Sequence, residues 1–128
     1  MKENDIGTII VDCAVELHRN LGPGLLETVY EVTLARALER RGLAVQRQVS
    51  VPIEYQGETF SEGFRADLIV GELVIVELKS LERVTPAHKK QLLTYLRLTG
   101  LKLGYLLNFG EALMRDGITR TINGSIDP

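Results

Sequence analysis

The 128-residue sequence sets 15 Lys and Arg against 17 Asp and Glu, a formal charge of −2, and is 45% apolar. That apolar share supports a packed core and excludes a disordered chain; the acidic balance excludes a protein that holds nucleic acid by bulk positive charge, though not a local basic surface around an acidic site. Cys13 is the only cysteine, so no intramolecular disulfide and no cysteine-based zinc or iron–sulfur centre can form within one chain. Length predicts one domain over residues 1–128, with a core from about residue 6 to 122 and a frayed tail at 124–128. The N-terminus shows no secretory leader and no run reaches membrane-spanning length, so a cytoplasmic protein without membrane contact is expected.

Ile6, Ile9, Ile10, Cys13, Leu17 and Leu21 recur at helical spacing, which predicts a first helix capped by Asn4 or Asp5, with Cys13 in its core stripe and His18 solvated or hydrogen-bonded. Leu21-Gly22-Pro23-Gly24 forms a corner. A second helix is expected from near Leu25 to Arg40-Arg41-Gly42, burying Leu26, Val29, Tyr30, Thr33, Leu34, Ala37 and Leu38. Glu27 falls about 20° from Leu34 and Leu38 on a helical wheel, at the edge of that face. As a first-turn acid it and Glu31 suit the helix dipole or pairing with basic neighbours; a functional carboxylate is the other reading of Glu27.

Val45 to Tyr55 alternates as a strand, with Pro52 at a sheet edge or bulge. Gln56-Gly57-Glu58 turns it into a second strand, Thr59 to Val70, in which Gly63 marks a bend or bulge. Gly71-Glu72 leads to a third strand, Leu73 to Leu78, so three successive antiparallel strands are expected. Thr85 and Pro86 open a third helix that Gly100 closes. A crossover then returns Lys102 to Phe109 parallel to an earlier strand, and Gly117 to Ile122 adds an edge strand.

The stretch FRADLIVGELVIVELKS, Phe64 to Ser80, carries acids where apolar strands have no inexpensive use for them. Period two places Glu77 and Lys79 on one face, and the hairpin at Gly71-Glu72 brings Asp67 opposite or diagonal to Glu77. Two carboxylates so placed repel unless a divalent cation with a taste for oxygen ligands joins them. Lys79 would then orient or help deprotonate a water, or stabilise phosphate charge. A plain Glu77–Lys79 ion pair at a strand end is the alternative.

These features, with Gly24-Leu25-Leu26-Glu27-Thr28-Val29-Tyr30 upstream and Gln91-Leu92-Leu93-Thr94-Tyr95 downstream, resemble the PD-(D/E)xK nuclease superfamily and within it the small GxxExxY proteins. The resemblance runs from about Ile6 to Ile122. It implies an α/β restriction-endonuclease-like core, a mixed central sheet flanked by helices, with an added N-terminal helix. It also implies Mg²⁺ or Mn²⁺ held by Asp67, Glu77 and the Leu78 backbone carbonyl, with Glu27 completing the shell. Lys79 would assist the attacking water, and Gln91 and Tyr95 would support the site or touch the substrate backbone. The implied activity is hydrolysis of phosphodiester bonds in DNA or RNA; the alternative is a catalytically silent nuclease fold that binds nucleic acid or a protein partner. A homodimer covering the first two helices or a sheet edge is a further expectation. Ala66 stands where the superfamily's name has proline. Lys89-Lys90 stand where an acid-alanine pair is usual, and they suit either a phosphate or a solvated helix face.

Overall fold

A computed structural model describes residues 1–126. The elements in chain order are α1 (Glu3–Leu21), α2 (Glu27–Arg40), β1 (Val45–Tyr55), β2 (Glu58–Val70), β3 (Val74–Lys79), α3 (Pro86–Thr99), β4 (Leu103–Asn108), a 3₁₀ turn (Met114–Gly117) and β5 (Ile118–Ile122). The strands form one mixed sheet in the order β1-β2-β3-β4-β5. β1, β2 and β3 are successively antiparallel, α3 carries the crossover to a parallel β4, and β5 closes the edge antiparallel. This is the α/β mixed-sheet architecture that the order of elements predicts.

Two apolar cores lie on opposite faces of the sheet. One joins α1 and α2 to Leu68, Val70, Val74, Val76, Leu78, Leu103, Tyr105 and Leu107. The other joins α3, through Leu92 and Leu96, to Phe64, Ala66, Ile69, Ile75 and Leu106. β3 and β4 are buried on both faces, as expected of a parallel pair between helical layers.

The β1–β2 hairpin does not serve one layer throughout. Leu68 and Val70 pack under α1 and α2, yet Ala66 and Phe64, of the same parity, pack under α3. The exchange occurs at Asp67 and, across the ladder, at Gln48, which has a positive φ of 50°. Further out, the register shifts between Val51 and Ile53, beside Pro52. There Gly63 is needed because an added Cβ would lie 2.5 Å from the Ile53 side chain.

Two expectations are corrected. α1 starts at Glu3 and not after Asn4 or Asp5; Asp5 sits within the first turn and its carboxylate accepts the Lys2 N–H at 3.0 Å. α2 does not bury Leu26 or Val29, which are 77% and 39% exposed. Leu26 precedes the helix, and the buried stripe is turned toward Tyr30, Glu31, Leu34, Ala35 and Leu38. Just before the expected tail, the Asn123 amide donates to the carbonyls of Leu96 and Leu101, and within it Ile126 packs on the first core. The remainder of the expected frayed tail, residues 127 and 128, lies outside the described residues. No helix among the described residues is long and apolar enough to cross a membrane.

Candidate active site

β2 and β3 pair only through Leu68↔Val76, Ile69↔Ile75 and Val70↔Val74. Extending that register by one step sets Asp67 beside Glu77. Here side chains replace the ladder. The Asp67 N–H donates to Glu77 Oε2 at 2.7 Å, and the Leu78 N–H donates to Asp67 Oδ2 at 2.9 Å. Each acid therefore satisfies a backbone donor on the opposite strand.

The pair is electrostatically loaded. Burial, followed by repulsion from Asp67, pushes the Glu77 carboxyl up to about 8; the Asp67 N–H and the Lys79 ammonium act against this. Burial also raises Asp67, opposed by the Leu78 N–H, with Glu31 adding to the rise and Gln48 and Lys79 reducing it. Ile75 packs in the α3 core, so Glu77 and Lys79, at the same parity, face that side of the sheet. From α3, Tyr95 stacks on Phe64, with ring centroids 3.9 Å apart at an interplanar angle of 7°. Burial and the two carboxylates hold its hydroxyl above the ordinary tyrosine range. Gln91, one turn earlier, is exposed, as are Lys89 and Lys90.

Glu27 is exposed in the first turn of α2, whereas Glu31, one turn on, is only 6% exposed and acts on both Asp67 and Glu77. Arg47 donates to Glu31 Oε2 through Nε at 3.2 Å and Nη2 at 2.8 Å, and the Gln48 amide donates to Oε1. A buried carboxylate needs such partners. The structure thus brings together Asp67, Glu77, Lys79 and Tyr95, and adds Glu31, Arg47 and Gln48. Among the described residues, the Glu27 side chain makes no hydrogen bond or ion pair and the Gln91 side chain makes no hydrogen bond.

Tyr30, the last residue of the Gly24–Tyr30 string, has a positional task. Its hydroxyl donates to the Gly22 carbonyl at 2.6 Å and accepts the Leu25 N–H at 3.0 Å, while its ring stacks on Phe109. The corner it fixes reaches β3, because Ser80 Oγ donates to the Leu25 carbonyl at 2.6 Å.

Asn108 secures the other side of Lys79. It is fully buried, accepts the N–H groups of Leu81 and Gly110 at 2.9 and 3.1 Å, and donates to the Leu81 carbonyl at 3.0 Å. The Phe109 N–H also donates to the Lys79 carbonyl at 2.8 Å. Gly110 admits this closeness, since an added Cβ would lie 2.1 Å from the Leu81 oxygen. An asparagine inside the apolar run LLNF was the sequence signal for this clamp.

Among the described residues no group of three His, Cys, Asp or Glu side chains is arranged to hold a metal ion. Asp67 and Glu77 still fit Mg²⁺ or Mn²⁺ by donor chemistry. Both are hard oxygen donors with lone pairs beyond the one given to a backbone N–H, and Mg²⁺ is commonly held by one or two carboxylates, with water and phosphate supplying the rest. The Leu78 carbonyl belongs to the residue between Glu77 and Lys79, paired in register with Leu107.

A family model described as the PD-(D/E)XK nuclease superfamily matches residues 4–121. No curated protein matches the chain. Among solved structures, the crystal structure of SSO0001 is similar over 79% of this chain and 52% of its own, with a TM-score of 0.52 and 24% sequence identity. The chain thus spans about half the length of that structure, and the likeness is one of fold.

Proposed function

Given that the chain belongs to the PD-(D/E)XK nuclease superfamily, we propose that it is a divalent-metal-dependent nuclease hydrolysing phosphodiester bonds of DNA or RNA, within the GxxExxY group. The observation that carries this reading is the reciprocal Asp67–Glu77 arrangement at the open end of the β2–β3 ladder, with Lys79 on the Glu77 face. Bound at these carboxylates, Mg²⁺ or Mn²⁺ would acidify a water and offset charge on the phosphate.

The chain's own residues have distinct tasks. Asp67 and Glu77 would hold the cation, with the Leu78 carbonyl as a further ligand and Glu27, exposed in the first turn of α2, as an outer acid. The Lys79 ammonium orients the water and accompanies the phosphate's negative charge. Tyr95 retains its proton, so its hydroxyl donates to a substrate oxygen, and Gln91 extends the same helix face toward the backbone. Lys89 and Lys90 add positive charge on that helix.

Purified protein with Mg²⁺ or Mn²⁺ should cut at least one of duplex DNA, single-stranded DNA or RNA, and Lys79→Ala should abolish cutting while the chain stays folded. Undiminished cutting by that variant would assign the activity to another site or a contaminant. One observation favours a second reading, a binding module that does not cut: Asp67 and Glu77 already occupy themselves with backbone N–H groups. Calorimetry that detects no divalent-metal uptake by the folded protein, together with binding of nucleic acid or a protein, would select it.

A further inference from the structure

Gln48 is held in a conformation that its residue type does not favour. Its φ of 50° is the left-handed region, which costs a non-glycine residue about 1 kcal/mol or more. In a regular strand, Arg47 and Gln48 would point to opposite faces. Here both reach Glu31: Arg47 takes Oε2 and Gln48 takes Oε1. The same Gln48 nitrogen lies 3.4 Å from Asp67 Oδ1. A primary amide has two N–H donors, and this one directs them at two carboxylates.

We propose that Gln48 is a positioning residue: anchored on Glu31, its amide spans to Asp67 and holds that carboxylate turned toward the cation site. The proposal rests on the metal reading above. The choice of side chain has a chemical logic. An amide restrains Asp67 without neutralising it. A lysine would compete with the cation for the same oxygen, and a glutamate would add a repelling charge. Asp67 Oδ2 is meanwhile fixed by the Leu78 N–H, so the two oxygens are held from two strands.

Gln48→Gly and Gln48→Asn separate positioning from mere packing. Both tolerate the left-handed backbone, so neither should lose stability beyond the hydrogen bonds removed; Gly deletes the amide and Asn shortens its reach. The first measurement uses the metal-free protein. Backbone NMR should show the Leu78 amide proton exchanging at least about ten-fold faster in both variants, with the Ile75 and Val76 amides unchanged. The second is Mn²⁺ titration by calorimetry, where both variants should bind about ten-fold or more weakly, as loss of a ligand-orienting partner usually entails. Unchanged Leu78 exchange in both variants overturns the proposal, as does Mn²⁺ affinity equal to that of the wild type. A wild-type protein that takes up no Mn²⁺ overturns the metal reading instead, and the Leu78 amide alone then decides the role of Gln48.

Discussion

Replacing Glu77 with Gln tests the electrostatics of the acid pair without disturbing its shape. Glu77 is 7% exposed and its carboxyl is displaced from the ordinary 4.5 to about 8, by burial first and by Asp67 second. A raised carboxyl pKa means that the folded chain binds the proton more tightly than the unfolded chain. The associated stability is fully present below about pH 4.5 and is lost as the pH rises toward 8. At about 1.36 kcal/mol per pH unit, the loss between pH 4 and 7 is about 3 kcal/mol. The neutral amide of Glu77→Gln still accepts the Asp67 N–H and does not titrate. In EDTA, the variant's stability relative to the wild type should therefore improve by about 3 kcal/mol from pH 4 to pH 7. For a chain of this length that is a change of roughly 10 °C in the difference between thermal midpoints. Thermal unfolding followed by circular dichroism across that range measures it directly. Parallel pH profiles for the two proteins would refute the burial and repulsion argument. Saturating Mg²⁺ should then stabilise the wild type at pH 8 far more than the variant, because only the wild type offers the second carboxylate.

Metal uptake should displace the Glu77 proton, so Mg²⁺ affinity should rise from pH 6 to about 8 and then level off, with proton release seen by calorimetry in two buffers of different ionisation enthalpy. Asn108→Ala leaves the Leu81 N–H, the Leu81 carbonyl and the Gly110 N–H without their partner; a loss of about 2–4 kcal/mol in urea unfolding is expected, together with reduced cutting. Tyr30→Phe keeps the stack on Phe109 but removes the link between Gly22 and Leu25, which should lower stability by about 1–2 kcal/mol and raise proteolytic nicking at the α1–α2 corner.

The hairpin and crossover were legible because their signals are local. Gly71 and Glu72 both have positive φ, and Thr85, Pro86 and Gly100 bound α3 where capping chemistry puts them. The juxtaposition of Asp67 and Glu77 followed from strand parity and one turn. The face of α2 was harder. Leu26 and Val29 are as apolar as Leu34 and Leu38, and a wheel cannot tell which apolar sector a sheet will cover. The same wheel puts Glu27 near the right direction but cannot show that α2's first turn lies exposed while Glu31, one turn later, meets Arg47 and Gln48. Gln48 had no sequence signal at all, since its left-handed backbone accompanies contacts made to α2 and β2 across the fold.

The acids at the centre have one duty that the hydrogen bonds show and a second that the proposed metal reading assigns them. Where β2 parts from β3, the N–H groups of Asp67 and Leu78 need acceptors, and carboxylates on the opposite strands supply them. A neutral acceptor could do the same without the repulsion that burial magnifies between Asp67 and Glu77. The fold thus retains a pair of ionisable carboxyls where structure alone asks only for acceptors. It also keeps Lys79 at the strand end, held by the Asn108 clamp and by the Ser80 bond to the α1–α2 corner. An arrangement that weakens the metal-free fold as pH rises through the neutral range has a physical reason to persist if a cation shares those carboxylates. This is why the Glu77→Gln comparison with and without Mg²⁺ separates a structural pair from a metal site.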